Sequence, residues 1–521
     1  MNRERLALTA GAILTLASAH AEPFKCPHTG GNFIFAQAAN FATLDPMAAG
    51  TISTRNIAMN IYESLMTRDE NNHPILELAA AMHEAPDRLT YTFALRQGVH
   101  FHNGRPLTSA DVVASFDRYA KLGVRRSTLE NVDRWDAPDA LTFAIHLKTV
   151  QPTFIDALSS PDVPIAIMPA GSGDPSAQQP NQPIGTGPYR FVSGLQGDEV
   201  KLERFADYLP NSNFQERTGF GGYKQACFDT ITFRIVTDPD ARAAGLRSGA
   251  YQGVEDLTAK AAGDLKQDAD IVLLPVRNWW IQLAVPNVSN PPTDRLPIRK
   301  AIQAALDMQE IMDAASDGTY RLNAGFQYPG EPDYLDAGKQ TYNLHNPDLA
   351  RRYLAEAGYQ GEPVVLLTNT DYPSMYNAAL VVQQQLQAVG IDAVMKVVGW
   401  PASAEMVRNT AEGWNLDFTA WGTQPALGAR ATMQLLVRPN AAYKPMAGQD
   451  DPDLRSAWND MNMLPTPEGR KDAFARMQAL VLDRVYAIPF GVMDTVQAVR
   501  SNVNGFVPFR IPRMANVWFS P

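Results

Sequence analysis

The chain has 521 residues, with 45 lysines and arginines against 55 aspartates and glutamates, for a net charge of −10 at pH 7. Such an acidic chain with well-mixed charges carries no electrostatic footprint for nucleic acid, and its length exceeds what one hydrophobic core organises, so two or three domains are expected. Hydrophobic residues at 45% and aromatic residues at 9% fit an ordinary globular protein with a sizeable core.

Residues 1–21, MNRERLALTAGAILTLASAHA, read as a secretory signal: Arg3 and Arg5, a short apolar run from Leu6 to Leu16, then small residues around Ala21, where a cut is predicted. The run is shorter than the roughly 20 apolar residues a membrane span needs. No cysteine follows it directly, so a free, soluble, exported chain is expected. Without these residues, which hold Arg3, Arg5 and Glu4, the net charge moves from −10 to −11. The chain has 2 cysteines, Cys26 and Cys227. Export makes a disulfide available to them. Each precedes a strand-like segment, NFIFAQ or ITFRIV, and the pair would meet if both segments belong to one sheet; two separate buried thiols is the alternative.

In chain order, a strand over 32–37 leads through the turn-prone NFATLDP to TRNIAMNIYESLMTRD. There Ile57, Ile61 and Leu65 recur every four residues and predict an amphipathic helix. Tyr91, Phe93 and Leu95 alternate as a half-buried strand, Asn103-Gly104 marks a turn, and Thr108 with Asp111 resembles a capping box opening a helix. ALTFAIHLK alternates again. The Gly-, Ser- and Pro-rich AGSGDPSAQQPNQP reads as a connection. A run of strands follows, YRFVSG, EVKLERF and FDTITFRIVTD. Beyond Trp279 long helices alternate with strands: PIRKAIQAALDMQEIMDAA and NPDLARRYLAEAGY as helices, PVVLLTN as strand, YNAALVVQQQLQAVG as helix, IDAVMKVV as strand. That βαβ rhythm predicts a second, parallel sheet. AFARMQALVLDRVYAIPF returns the chain by helix and strand.

Few motifs carry chemistry. Gly185 and Gly187 in PIGTGPYRF lack the Lys-Ser/Thr of a phosphate loop, Pro188 removes a backbone donor, and a strand follows where a helix N-terminus would be needed. The loop therefore reads as structural. His100 and His102, two apart on a predicted strand, share a face where metal ligands could converge, but solvent-facing residues beside a turn is the better reading. Nucleophile elbows, HExxH and CxxC are absent, so an enzyme is not expected, and neither a metal nor a cofactor. Trp279, Trp280, Trp400, Trp414 and Trp421 gather in the second half, as core or as walls of a ligand cleft.

Six segments together resemble family 5 of the bacterial extracellular solute-binding proteins, the peptide, dipeptide and nickel-binding components of ABC importers. They are TLDP (43–46), IYESL (61–65), YTFALRQGVHFHNGRPLTSADVVASFDR (91–118), PIGTGPYRF (183–191), IRKAIQAALD (298–307) and GIDAVMKVVGW (390–400). The resemblance implies an α/β periplasmic binding protein-like fold, two lobes closing on a cleft, with an inserted third domain. The expected division is domain I over 22–55, 185–278 and 487–521, domain II over 56–184, and domain III over 279–486. It further implies a monomeric periplasmic receptor that passes a peptide-like or other small organic ligand to an inner-membrane permease. A chaperone or chemosensory receptor of the same fold is the alternative, and a secreted hydrolase the weaker rival.

For the site, the resemblance implies that Trp400 walls the cleft. Its W-x-x-D motif falls on Trp421-Gly422-Thr423-Gln424, where Gln424 replaces the acid that pairs with a peptide amino terminus. The arginine that holds a dipeptide carboxylate falls, counting back from Gly390, at Asn369. Phe41 completes the candidate ligand-binding set. With both anchors neutral amides, a small zwitterion is disfavoured, since a buried charge that loses its partner costs about 3–5 kcal/mol. An uncharged or weakly charged ligand is expected instead. A nickel chelate is not, because His345 is the last histidine and no carboxy-terminal one follows.

Overall fold

The computed structural model describes residues 22–172, 182–316, 318–331, 334–422, 433, 436–437 and 451–521, so the predicted signal, Thr423 and Gln424 lie outside the described residues. Its centre is a mixed 11-stranded sheet. Across the sheet the order is Ala393–Val397, Val364–Thr368, Leu416–Trp421, Ile271–Pro286, Ile488–Arg500, Gly253–Leu257, Asn32–Gln37, Thr230–Ile235, Glu199–Arg204 and Tyr189–Leu195. Tyr320–Leu322 adds to the side of Ile488–Arg500. The strands predicted to form a second sheet, Val364–Thr368 and Ala393–Val397, are parallel but belong to this same sheet, because Leu416–Trp421 links them to Ile271–Pro286.

Two long antiparallel strands, Ile271–Pro286 and Ile488–Arg500, join the two flanks of the sheet. Their first segment pairs beside Gly253–Leu257 and the amino-terminal strands; their second pairs beside Leu416–Trp421. Between the segments the register slips from Val276↔Thr495 to Trp280↔Met493. Asn278 occupies the left-handed region there, with φ of 53°. Its N–H donates to Asp494 Oδ1 at 2.8 Å, and Arg321 holds both Asn278 Oδ1 (2.7 Å) and Asp494 Oδ2 (2.8 Å). A bulge of this kind bends and twists a ladder locally. The flanks pack separate apolar clusters, one around Phe33, Phe35 and Phe233 and another around Ile302, Val382 and Phe418.

A separate 4-stranded sheet, ordered Ala79–Glu84, Thr90–Leu95, Thr142–Leu147, Val132–Asp139, packs against the helix Ser109–Leu122. That helix opens as its sequence suggests: the N–H and hydroxyl of Thr108 donate to Asp111 Oδ2 at 2.9 and 2.8 Å. Cys26 and Cys227 are disulfide-bonded with Cα atoms 5.6 Å apart, and the strands that follow them, Asn32–Gln37 and Thr230–Ile235, pair in parallel.

The structure departs from two predicted helices. The one beginning near Thr54 runs only over Ile52–Ile61, because the Ile61 carbonyl accepts from Gly187 N–H at 2.9 Å, which replaces the bond a further helical turn would make. Met66–Arg68 then pairs as a strand with Pro74–Leu76. The segment after Pro297 is two helices, Leu296–Ala305 and Met308–Ser316; Asp307 Oδ1 accepts from Gln309 N–H at 2.9 Å and so starts the second afresh.

PIGTGPYRF is the seam between the small sheet's unit and the large sheet. A β-carbon at Gly185 would run into the Ile61 carbonyl, and one at Gly187 would sit 2.5 Å from Asn60 O. His102 secures the same loop: its Nδ1 accepts from Gly185 N–H at 3.3 Å, and Nε2 lies 3.0 Å from Gly187 O. Burial drives the His102 pKa down to about 4. His100 and His102 therefore do not converge on a metal, and they lie beside an isolated bridge, His100↔Pro106, and not on a strand. Thr186 donates to Glu63 Oε2 at 2.9 Å, tying the loop to a buried charge cluster in which Lys224 Nζ bridges Glu63 Oε1 (2.8 Å) and Glu77 Oε1 (2.7 Å).

Candidate ligand-binding site

A cavity of about 150 Å³ opens between the flanks of the large sheet. One side comes from the first 170 residues: Gly50 to Ile52 and Arg55 at the start of the helix Ile52–Ile61, Val124 and Arg125 after Ser109–Leu122, and Asp162. The other side carries Tyr372, Trp400, Arg408 and the strand end Thr419–Gly422. Trp280, on the long strand just past the bulge, and Arg510 reach it from the crossing region. The sides also touch directly, with Arg408 Nη1 donating to Ala48 O at 3.4 Å. A wider chamber of about 530 Å³, lined in part by Phe220, Arg277 and Phe509, shares Arg55 and Arg510 with the first.

The aromatic wall is a row of edge-on rings. Trp280 and Tyr372 lie 5.4 Å apart at 88°, Tyr372 and Trp400 5.4 Å apart at 86°. Edge-to-face contact suits the ring quadrupoles and fixes each plane relative to the next. Local sequence builds the row. Asn369 Oδ1 accepts from Tyr372 N–H at 2.9 Å, turning the chain out of Val364–Thr368 into the helix Pro373–Ala388. Asp371 Oδ2 then accepts from Trp400 N–H at 2.9 Å, at the first turn of the helix Trp400–Asn409. The Nε1 atoms of Trp400 and Trp421 are buried with no hydrogen-bond partner among the described residues.

Charge in the cavity is mostly positive. Arg55, Arg125, Arg408 and Arg510 line it against Asp162, the one carboxylate among its described lining residues. Asp162 Oδ1 accepts from Arg55 Nη1 in a buried ion pair. Burial opposes the Asp162 charge, but Arg55, Arg125 and Arg510 together hold its pKa below the usual carboxylate value. Burial also lowers the Arg55 pKa, Asp162 resisting and the repulsion of Arg510 and Arg125 adding to the shift. Gly422 has a packing reason to be glycine, since a β-carbon there would overlap the Arg510 guanidinium.

Of the residues named from sequence, Trp400, Trp421 and Gly422 come together at this cavity. Asn369 is fully buried and spends its amide on Tyr372 N–H and on Met375 Sδ (3.2 Å), so it shapes the wall from behind and does not face a ligand. Phe41 packs in the core around Phe33 and Phe35 and does not line the cavity either. The inference of an uncharged ligand from Asn369 thereby loses its footing. The four arginines were not anticipated: they lie at 55, 125, 408 and 510, and nothing local marks them as neighbours.

A family model described as bacterial extracellular solute-binding proteins, family 5 Middle, matches residues 73–442. The chain belongs to this family. Among family relatives, a probable peptide ABC transporter periplasmic-binding protein, y4tO of Sinorhizobium fredii, is 24% identical over 495 residues, 92% of each chain. The glutathione-binding protein GsiB of Salmonella typhimurium is 27% identical over 494 residues, 91% of each. Solved structures with the same fold include AgaA of A. tumefaciens R10 in complex with agropinic acid (TM-score 0.80, 23% identity, 94% of this chain and 99% of that one). AppA of Bacillus subtilis in complex with a nonapeptide is another (TM-score 0.82, 20% identity, 95% and 100%). As a family 5 protein, the chain is a solute-binding component of the ABC-importer type, with the α/β binding-protein fold. Family 5 proteins are extracellular or periplasmic, and no helix among the described residues is long and apolar enough to cross a membrane.

Proposed function

We propose that this chain is a periplasmic receptor that captures a peptide-like or other small organic solute in the cavity between the sheet flanks and presents it to an inner-membrane permease. Residues 1–21 direct export and are removed by cleavage after Ala21, and the protein catalyses no reaction on its cargo. The observation that carries the reading is a cavity whose walls come from both flanks, joined by two long strands with a bulge at their midpoint. A solute touching Arg55 on one side and Trp400 on the other stabilises the approach of the flanks only through contacts that a separated pair cannot make. The three-part domain division expected from sequence serves this motion, with the bulge at 276–280 as the hinge. Trp400 and Trp421 supply the apolar walls.

The test is ligand binding by Trp400→Ala and Trp421→Ala, followed by calorimetry. Each substitution removes a face of the cavity and is expected to weaken binding at least tenfold, with a smaller effect on unliganded melting for the half-exposed Trp400. Unchanged affinity in both variants would place the solute elsewhere and refute the assignment.

A further inference from the structure

We infer that Thr153 and Asn462 form a latch between the two flanks: the Thr153 hydroxyl, donated to the Asn462 carbonyl oxygen, favours the closed receptor from outside the cavity and strengthens its hold on any solute. This rests on the receptor reading above and adds to it a residue pair that governs closure without touching the cargo.

Each partner is anchored in its own flank. Thr153 lies in the small sheet's unit, where the next residue, Phe154, is fully buried with its ring 5.5 Å from that of Tyr91. Asn462 lies in the last turn of the helix Pro452–Met463, which packs through Leu454, Trp458 and Met461 into the apolar cluster of Leu367 and Trp421. The two residues are 309 positions apart, and Thr153 Oγ1 lies 3.2 Å from Asn462 O and 3.5 Å from Asn462 Oδ1. Local chemistry leaves both groups available. A threonine at a helix N-cap ordinarily accepts a backbone N–H of the first turn with its hydroxyl oxygen. Thr153 stands at the N-cap of Phe154–Leu158 and makes no such bond, so its hydroxyl is spent across the flanks instead. The carbonyls of a helix's last turn have no N–H of their own helix to accept from. Asn462 O is one of these, and the Asn462 side-chain amide is occupied with Trp458 O at 2.8 Å. Donor and acceptor therefore complete each other only where the flanks meet, and Thr153 is there 2% exposed.

The latch is continuous with one wall of the cavity and yet stands apart from the solute. From Thr153 the chain runs through Phe154–Leu158 to Pro161, whose carbonyl accepts from Arg55 Nη1 at 3.2 Å, and then to Asp162 at the cavity. Neither Thr153 nor Asn462 lines the cavity or the wider chamber. When the flanks separate, water takes up both groups, so the bond counts only by its net advantage over hydration. For a neutral hydrogen bond that advantage is a factor of about 2 to 10 in the closing equilibrium. The factor does not depend on what the cavity holds, so it multiplies the affinity for every solute alike. A wall residue such as Trp400 acts differently, because its effect follows the shape of the solute it touches.

The experiment compares the parent with Thr153→Val, which keeps the side-chain shape and removes the hydroxyl, and with Thr153→Ser, which keeps the hydroxyl. A thermal-shift screen of di- and tripeptides, mono- and dicarboxylates, neutral sugars and amines first finds the compounds that bind the parent, since a ligand of the native state raises the melting temperature by mass action. Titration calorimetry and stopped-flow fluorescence then give Kd and the two rates for each of them. Thr153→Val is expected to raise Kd about 2- to 10-fold, by one common factor for all binding compounds, through faster dissociation with association no slower. Thr153→Ser is expected to stay within about twofold of the parent. Unchanged Kd in Thr153→Val overturns the latch and leaves the receptor reading intact. A factor that varies from compound to compound as that of Trp400→Ala does, slower association, or a serine variant as weak as the valine one overturns the latch as well. Absence of a shift with every compound overturns the receptor reading, and the latch with it.

Discussion

Gly422→Ala isolates the contribution of Arg510 without touching its charge. In the structure the Arg510 guanidinium lies over the α-carbon of Gly422, and a β-carbon there would overlap its Cζ, Nη1 and Nη2 together. Non-bonded carbon and nitrogen need about 3.5 Å, so the guanidinium must swing away by about 2 Å. That displacement exceeds the tolerance of a hydrogen bond to a fixed ligand oxygen. A hydrogen bond to a charged group contributes about 1.5–3 kcal/mol, which at 1.4 kcal/mol per factor of ten predicts a Kd raised about 10- to 150-fold. Arg510 is half-buried, so its side chain has room to shift before the backbone does. Unliganded melting is therefore expected to stay within about 2 °C of the parent. Isothermal titration with a solute the protein binds measures the first quantity, and calorimetric scanning the second. Unaltered affinity would show that Arg510 does not touch the ligand; a large drop in unliganded melting would show that the glycine serves the fold instead.

Three further expectations concern the scaffold. Lys224→Met leaves Glu63 and Glu77 buried without the ammonium that bridges them at 2.8 and 2.7 Å; a loss of about 3–5 kcal/mol in urea unfolding at pH 7 is expected, shrinking as the pH falls far enough to protonate the carboxylates. Burial raises the Asp417 pKa to about 8. The native state then holds a proton that the unfolded chain releases, so this group's stabilisation is complete below the unfolded value near 3.8 and is lost as pH rises toward 8. Asp417→Asn is therefore expected to gain about 4 kcal/mol on the parent between pH 4 and pH 7, read by chemical unfolding across that range; parallel curves would contradict the shift. Replacing both Cys26 and Cys227 by serine removes a cross-link between residues 201 positions apart. On the chain-entropy model this costs up to about 5 kcal/mol, seen as a lower urea midpoint for the variant.

The legible parts of the sequence were those where local chemistry and tertiary context agree. Tyr91, Phe93 and Leu95 alternate and do form a strand, and Thr108 with Asp111 opens a helix where the spacing says it should. Tertiary contacts overrode the pattern elsewhere. The periodicity of Ile57, Ile61 and Leu65 continues past the point where Gly187 takes the Ile61 carbonyl, so the helix stops although the hydrophobic repeat does not. The same contact accounts for PIGTGPYRF, whose glycines permit close backbone approach and bind no phosphate. At the cavity, Trp400 and Trp421 were accessible through the family resemblance. Asn369 was misplaced because counting along the chain from Gly390 cannot register that the turn before Pro373 consumes its amide. The arginines were invisible for a different reason: four cations drawn from positions 55, 125, 408 and 510 become one site only when the two flanks of the sheet face each other.

The account stands or falls on a single solute bridging both flanks. Hydrogen–deuterium exchange of the protein with and without its bound solute reads this directly. Slowed exchange is expected at once in Gly50–Arg55 and around Arg125 on one side and in Trp400–Arg408 on the other, segments that line opposite walls of the cavity. Protection confined to one of these sides, or found only at the outer face of the small sheet, would contradict capture between them.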